Sequence, residues 1–276
     1  MLDANEQLGA GQRIRALANN SDGQGHSYGS HCNVLITRSA FDNIFGRKLQ
    51  QLLFLAAHQV SSIVYTGQGK VGAENGAPDV DYQLSQRADF FETLTGLQTT
   101  FNRPIVNSRD EPLCGPFAGA DATAKDLARL HVIFYDCNLC HTACFLKMGV
   151  LQIVVAMVEA EEIDVRLILD DPVDAVVRWS HDPTLQTRAR LADGRHLTAV
   201  EHQQLLHEQA RLFVERGGCD GIVPDAEKII QLWGDVLEQL AAKNFDALVG
   251  SLDWILKLFG LERAPVSYTH LRAHET

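Results

Sequence analysis

The chain has 276 residues, 46% hydrophobic and 21% charged, which is enough apolar sequence for one large domain or two small ones. Its formal net charge of -11 argues against a duplex nucleic-acid binder, which needs a basic face, but allows a small anionic ligand held by local charge. The sequence shows no signal peptide and no stretch of 18 or more uncharged apolar residues. We therefore expect a soluble, cytoplasmic protein with reduced cysteines and no membrane partner.

The first half of the chain is predicted to be rich in strands. The predicted elements are strands at residues 13–17, 34–37, 62–66 and 82–90, and an amphipathic helix at 45–59. The polar, glycine-rich loop at residues 19–25 fits either an anion-binding loop or an ordinary β-turn. The GxGxxG string at residues 67–72 is not followed by a helix, so we reject a dinucleotide-binding fold.

The central stretch, residues 103–147, concentrates the polar groups of the chain. Two apolar runs within it, residues 104–106 and 130–134, are predicted strands, and a long buried helix at 142–162 follows. The polar residues at or near the strand ends are Arg109, Asp110, Glu111 and His131. Ligands usually lie where strands end, so this stretch is a candidate site.

The last third of the chain is predicted to be mostly helical. Its predicted elements are short strands at residues 173–177, 188–191 and 195–197, the last two joined by an Asp193-Gly194 turn, and helices at 199–215, 225–242 and 245–259. This order indicates an α+β protein with helices on one side of a largely antiparallel sheet. We divide it into a sheet domain (1–162), a mostly helical remainder (163–263) and a tail (264–276) that we interpret as non-native sequencing-adapter read-through.

The cysteine cluster formed by Cys137, Cys140, His141 and Cys144 has two chemical interpretations besides packing. The CxxCH string matches a haem c attachment motif, but the absence of an export signal argues against it. Zinc is the stronger alternative, although four ligands from one short helix converge poorly on a single ion. Buried thiols are the favoured interpretation, and a metal site stays open.

Two arginines and two histidines form a second constellation: His31, Arg87, Arg109 and His131. Taken singly, each has an ordinary structural interpretation, as a surface ion pair or a hydrogen-bonded, semi-buried histidine. Together they would clamp phosphates and help to hold a divalent cation, because the planar guanidinium matches phosphate oxygens. Spacing along the chain does not show that they converge.

Several long motifs resemble one known family. They are the segments at residues 19–31, 83–89, 107–112, 129–133, 180–183, 191–195 and 252–254. In this order they resemble the family of the Pup protein ligase and the Pup deamidase/depupylase, over residues 13–263. The Tyr-Gly-Ser-His and Gln-Leu-Ser-Gln-Arg-Ala-Asp forms are closer to the depupylase branch.

The resemblance implies a glutamine-synthetase-like fold, in which a curved antiparallel sheet cradles ATP and magnesium. It implies action on the C-terminal Gln or Glu of Pup, or on the isopeptide bond between Pup and a substrate lysine; the ligase branch forms that bond instead. Within this resemblance, Arg87 and Arg109 match phosphate-contacting arginines. His31 and His131 match histidines of the nucleotide and metal site.

The sequence also departs from the family pattern. Cys32 and His141 stand where the family has carboxylates, and Leu113 stands where it has a histidine. The nucleophilic aspartate and the metal-binding glutamates are expected upstream of this chain, so we expect a truncated, inactive fragment with an exposed sheet edge. A non-catalytic relative that binds nucleotide or Pup is the alternative.

Overall fold

The protein contains one four-stranded sheet and two small two-stranded ones in a computed structural model that describes residues 5–9, 11–14, 17–110 and 127–263. The strands are β1 (Cys32–Thr37), β2 (Lys70–Val71), β3 (Tyr82–Gln83), β4 (Phe91–Gly96), β5 (Arg103–Asn107), β6 (Leu127–Val132), β7 (Ala189–Arg190) and β8 (His196–Leu197). The α-helices are α1 (Arg38–Asp42), α2 (Leu49–Ser61), α3 (Ile63–Thr66), α4 (His141–Glu159), α5 (Pro172–Ser180), α6 (Ala199–Glu215), α7 (Ala226–Ala241) and α8 (Asp253–Arg263).

The central sheet has the strand order β1-β6-β5-β4 and is mixed. The β1-β6 and β6-β5 pairs are antiparallel, as expected, whereas β5 pairs with β4 in parallel. The reason is the connection at residues 97–102, which returns along the sheet so that β5 runs in the same direction as β4. Helices and a mixed sheet together confirm the α+β class.

Helices cover one face of this sheet. Along β1 the buried residues alternate with exposed ones, and Cys32 and Ile36 point into the main hydrophobic core. Cys32 meets Met148 of α4, with 3.5 Å between the two sulfur atoms. The core continues through α2, α6 and α7 around the fully buried Trp233. The opposite face, which we call the open face, is exposed along β1, whereas Arg103, Asn107 and His131 on the same face are buried.

Two predicted strands are helices instead. Residues 63–66 of the predicted strand at 62–66 form the short helix α3, whose side chains are all buried rather than buried alternately. Residues 173–177 belong to α5, whose start signal is the Asp171-Pro172 pair. The Asp171 side chain accepts hydrogen bonds from two amides of the first turn, and proline fits that turn.

Other predicted elements have different bounds. Only Tyr82–Gln83 of the predicted strand at 82–90 pairs with another strand, and β4 begins after it. In the predicted strand at 13–17, residues 13, 14 and 17 have no regular structure. Residues 15 and 16 lie outside the described residues. The predicted helix at 245–259 breaks before α8, where Gly250 has a φ of +87°.

The remaining elements match their predictions closely. The helix predicted at 199–215 is α6, which starts at a capping box between Thr198 and Glu201. The turn at Asp193-Gly194 joins β7 to β8, with Gly194 at a φ of +89°. The predicted tail, residues 264–276, lies outside the described residues.

Helix α4 has the length and hydropathy of a membrane-spanning helix, but 67% of its most apolar window is buried inside the protein. The core helix of a globular domain has the same properties. Helix α4 contacts β1, α2, α3, α6 and α7. Its composition is explained by this burial.

Candidate functional site

The open face of the sheet carries a row of polar side chains. Asn33 of β1, His131 of β6 and Asn107 of β5 stand side by side in register. Since alternate residues of a strand share a face, Arg129 and Arg103 belong to the same face. Two of the four predicted site residues, His31 and His131, meet directly at this row, with 3.3 Å between His31 Nδ1 and His131 Nε2.

Arg87 lies beneath the segment that carries His31. Its guanidinium donates to the carbonyl oxygens of Ile133 (2.7 Å) and Phe134 (3.3 Å) and to the Ser27 hydroxyl (3.3 Å). Gly29 lies directly above it, and a Cβ at this position would require the Arg87 guanidinium to shift. The side chain is 1% exposed, so the segment at residues 27–31 separates it from the surface.

Arg103 is a second buried arginine at this place, and sequence reasoning missed it. It donates to the carbonyl oxygens of Thr99 (3.1 Å) and Ser27 (3.3 Å) and lies over the Phe90 ring. Its position at the start of an apolar strand was the available signal, because arginine in a buried strand needs a specific partner.

The two buried guanidiniums make the site electropositive. Burial first, and then the charge of Arg103, lowers the pKa of Arg87 to about 10. Burial also lowers the pKa of Arg103. Partial desolvation and then these two positive charges lower the pKa of His31, which favours its neutral ring. Among the described residues, no carboxylate forms a salt bridge with either arginine, although the charges of Asp136 and Glu92 partly oppose the lowering of the pKa of Arg87 and of Arg103, respectively. This arrangement favours an anion.

Asp136 fixes the loop that carries Arg87. Its buried carboxylate accepts hydrogen bonds from the backbone amides of Gln68 (2.8 Å) and Gln86 (3.0 Å) and from the Ser85 hydroxyl (3.1 Å). Burial raises the pKa of this carboxyl, and the hydrogen bonds oppose that rise. The loop at residues 84–87 is therefore ordered by a side chain rather than by a strand ladder.

Asp89 and Asp253 are further buried carboxylates with complete sets of donors. Asp89 contacts His181 Nε2 at 2.7 Å and accepts hydrogen bonds from the Gln83 side chain and the Glu74 amide. Burial opposes ionisation of Asp89, but these donors hold its pKa below the ordinary value. Asp253 accepts hydrogen bonds from the amides at the start of α4. These two motif residues thus hold distant segments of the chain together by hydrogen bonds.

Arg109 lies just beyond β5, two residues after Asn107, and is half-buried. Its backbone amide donates to the Asn107 side chain at 3.0 Å. Because β5 runs from Arg103 to Asn107, the backbone of Arg109 lies past His131, on the side away from Arg103. Asp110 forms an ion pair with Arg38, and Glu111 lies outside the described residues.

The described residues do not fit a magnesium site. Magnesium prefers oxygen ligands, whereas His31 and His131 offer ring nitrogens. No group of three or more His, Cys, Asp or Glu side chains within the described ranges is arranged to hold a metal ion, and this includes the predicted zinc ligands around Cys140. Burial and then Asp253 raise the pKa of Cys140 to about 11, so its thiol stays protonated. The metal role of the two histidines stays a prediction.

Comparison with known proteins gives a consistent family. The sequence profile described as Pup-ligase protein matches residues 1–271. The chain is 40% identical over 258 residues to a depupylase of Acidothermus cellulolyticus, and 38% identical over 252 residues to a Pup deamidase/depupylase of Mycolicibacterium smegmatis. These alignments cover 92% and 91% of this chain but 48% and 47% of the relatives, so the chain spans about half their length.

Solved structures give the same fold. The structure of the Pup ligase PafA in complex with ADP matches with a TM-score of 0.70 at 27% identity, over 95% of this chain and 55% of PafA. The complex between the prokaryotic ubiquitin-like protein Pup and its ligase PafA matches with a TM-score of 0.69 at 29% identity, over 89% of this chain and 47% of that one. The predicted fold is confirmed.

Proposed function

The chain belongs to the Pup-ligase protein family, as its motifs predicted, and from this premise we propose that it is part of an ATP-dependent Pup deamidase/depupylase. In this role it would contribute to hydrolysis of the C-terminal glutamine amide of Pup or of the isopeptide bond between Pup and a lysine. The names of the relatives at 37–40% identity support the depupylase branch. Formation of the bond, as by a Pup ligase, is the alternative that the PafA neighbours support.

The observation that carries the proposal is the pair of buried arginines beneath His31. A buried guanidinium without a carboxylate partner is costly unless an anion compensates it, and nucleotide phosphates supply such charge. ATP would lie on the open face at His31 and His131, with Arg87 and Arg103 beneath the segment at residues 27–31. Arg109 would contact phosphate from the other side of His131.

In the proposed reaction, the residues of this chain bind the reacting groups and orient them. The neutral His31 ring offers one hydrogen-bond donor and one acceptor at the exposed end of the row. The fixed positive charge of the arginines stabilises negative charge that develops on a phosphoryl or acyl oxygen. Magnesium, held by ligands outside the described residues, would neutralise phosphate charge. We expect the protein to act in the cytoplasm on Pup and pupylated proteins.

Calorimetric titration of the chain with ATP, with and without magnesium, tests the proposal. We expect binding by the wild-type chain and a loss of at least tenfold in affinity for Arg87→Ala combined with Arg109→Ala, since each hydrogen bond to a charged group contributes about 1.5–3 kcal/mol. Arg211→Ala on the exposed face of α6 is the control. A well-folded chain that does not bind ATP would favour a non-catalytic relative.

A further inference from the structure

Arg129 occupies the same open face as the proposed nucleotide site, on the side of His131 away from Arg103. It precedes His131 by two residues on β6, which separates their backbone positions by about 7 Å. Leu35 stands directly opposite Arg129 in register. The guanidinium reaches diagonally to β1, where Nη1 donates to Asn33 Oδ1 at 3.2 Å.

Among the described residues, the charge of Arg129 has no counter-ion. Within the part of the chain that the structure describes, its one hydrogen bond goes to the neutral Asn33 side chain, and its Nε is buried without a hydrogen-bond partner. The acidic residue at this end of the sheet, Asp110, is engaged by Arg38. A half-buried guanidinium that is already oriented by one amide keeps most of its donors for a ligand.

Apolar side chains flank this cation. Leu35 is 69% exposed and Leu127 is 39% exposed, and register places both on the open face beside Arg129. Exposed leucines beside a functional site favour contact with another apolar surface. One guanidinium between two aliphatic side chains is suited to a carboxylate carried by a polypeptide, because the planar fork matches a carboxylate and the leucines accept neighbouring side chains.

We infer that Arg129, oriented by Asn33, is a carboxylate-binding site for an acidic polypeptide segment that crosses the open face of the sheet. The identification of this segment with the substrate that reacts beside the nucleotide rests on the proposed function. The inference that Arg129 binds a carboxylate does not depend on the proposed function. Arg87, Arg103 and Arg109 stay the residues proposed for phosphate.

A fluorescein-labelled ten-residue peptide that ends in leucine and glutamate tests the inference by fluorescence polarisation. We expect Arg129→Gln to weaken its binding at least tenfold, as for loss of a hydrogen bond to a charged group. The same peptide with its glutamate replaced by glutamine and its terminus amidated should bind to the wild-type chain as weakly as the acidic peptide binds to Arg129→Gln. Arg190→Gln, which removes an exposed arginine paired with Asp170 on the β7-β8 hairpin, is the matched control and should bind normally.

A second variant and two competition measurements decide the remaining outcomes. Arg129→Lys keeps the charge and should recover part of the affinity, and it replaces the glutamine variant if that one melts early. ATP affinity should change less than twofold in Arg129→Gln; a parallel loss of ATP and peptide would place Arg129 in the nucleotide site and overturn the inference. Unchanged peptide affinity, or displacement of the peptide by inorganic phosphate but not by free glutamate, would also overturn it. If ATP fails to bind the wild-type chain, the proposed function fails, and the peptide titrations still decide this site.

Discussion

Two groups of buried charges in this protein differ in their partners. The carboxylates of Asp89, Asp136 and Asp253 each accept several hydrogen bonds from amides and side chains of distant segments. The guanidiniums of Arg87 and Arg103 contact only neutral oxygens among the described residues. The first group has its hydrogen-bond donors within the fold, whereas the second forms no salt bridge among the described residues and has its charge only partly offset by Asp136 and Glu92. Burial alone therefore does not identify a functional residue. The charge and the number of its hydrogen-bonding partners do.

The largest expected effect tests the carboxylate group. Asp89→Ala leaves the buried His181 ring and the Gln83 side chain without their acceptor, and we expect a loss of about 3–5 kcal/mol in the free energy of unfolding. Urea denaturation followed by circular dichroism measures it. A loss below about 1 kcal/mol would show that this carboxylate is not a structural partner.

A pH titration of stability tests buried groups that carry no charge. Burial lowers the pKa of His58 to about 3 and that of His202 to about 4, against an ordinary value of 6.5. The unfolded chain binds protons more readily below pH 6.5, so the stability contributed by the neutral rings is present above that pH and is lost as the pH falls. The expected loss is about 1.4 kcal/mol per pH unit for each histidine.

Urea denaturation at pH 7, 6 and 5 measures this slope. His202→Gln should reduce the pH dependence between pH 6.5 and 5, because glutamine does not titrate. An unchanged slope would mean that His202 is not buried as a neutral ring in solution.

The variant Arg103→Met tests whether Arg103 serves ligand binding or the stability of the fold. Removing the desolvated charge offsets the loss of two hydrogen bonds to carbonyls, so we expect the free energy of unfolding to change by less than about 1 kcal/mol. ATP affinity, measured by calorimetry, should fall at least tenfold. The reverse result, a large loss of stability with normal ATP binding, would assign Arg103 to the structural group.

The smallest expected effect concerns His31. Desolvation and the positive charges of Arg87 and Arg103 lower its pKa, and a bound phosphate raises the pKa again, so ATP should bind more tightly as the pH falls from 7.5 to 5.5. We expect a few-fold increase in affinity, measured by calorimetry at each pH. His31→Gln should abolish the increase, and an equal increase in that variant would exclude His31 as the titrating group.

The sequence predicted the class of the fold and the long helices, because a 3.6-residue period and capping signals are local properties. It did not predict α3 or α5, since full burial removes the periodicity of short segments. The family motifs indicated that His31 and His131 share a site, whereas their spacing along the chain did not. Arg103 was missed because its role depends on a contact with Ser27, 76 residues away.

The carboxylate of Asp136 has a consequence for local opening of the chain. The amides of Gln68 and Gln86 donate to the same oxygen atom, although neither residue lies in a helix or a strand. Both amide protons should exchange with solvent slowly and together, because release of one requires displacement of the acceptor of the other. A loop that has no ladder of its own is thus expected to open as one unit.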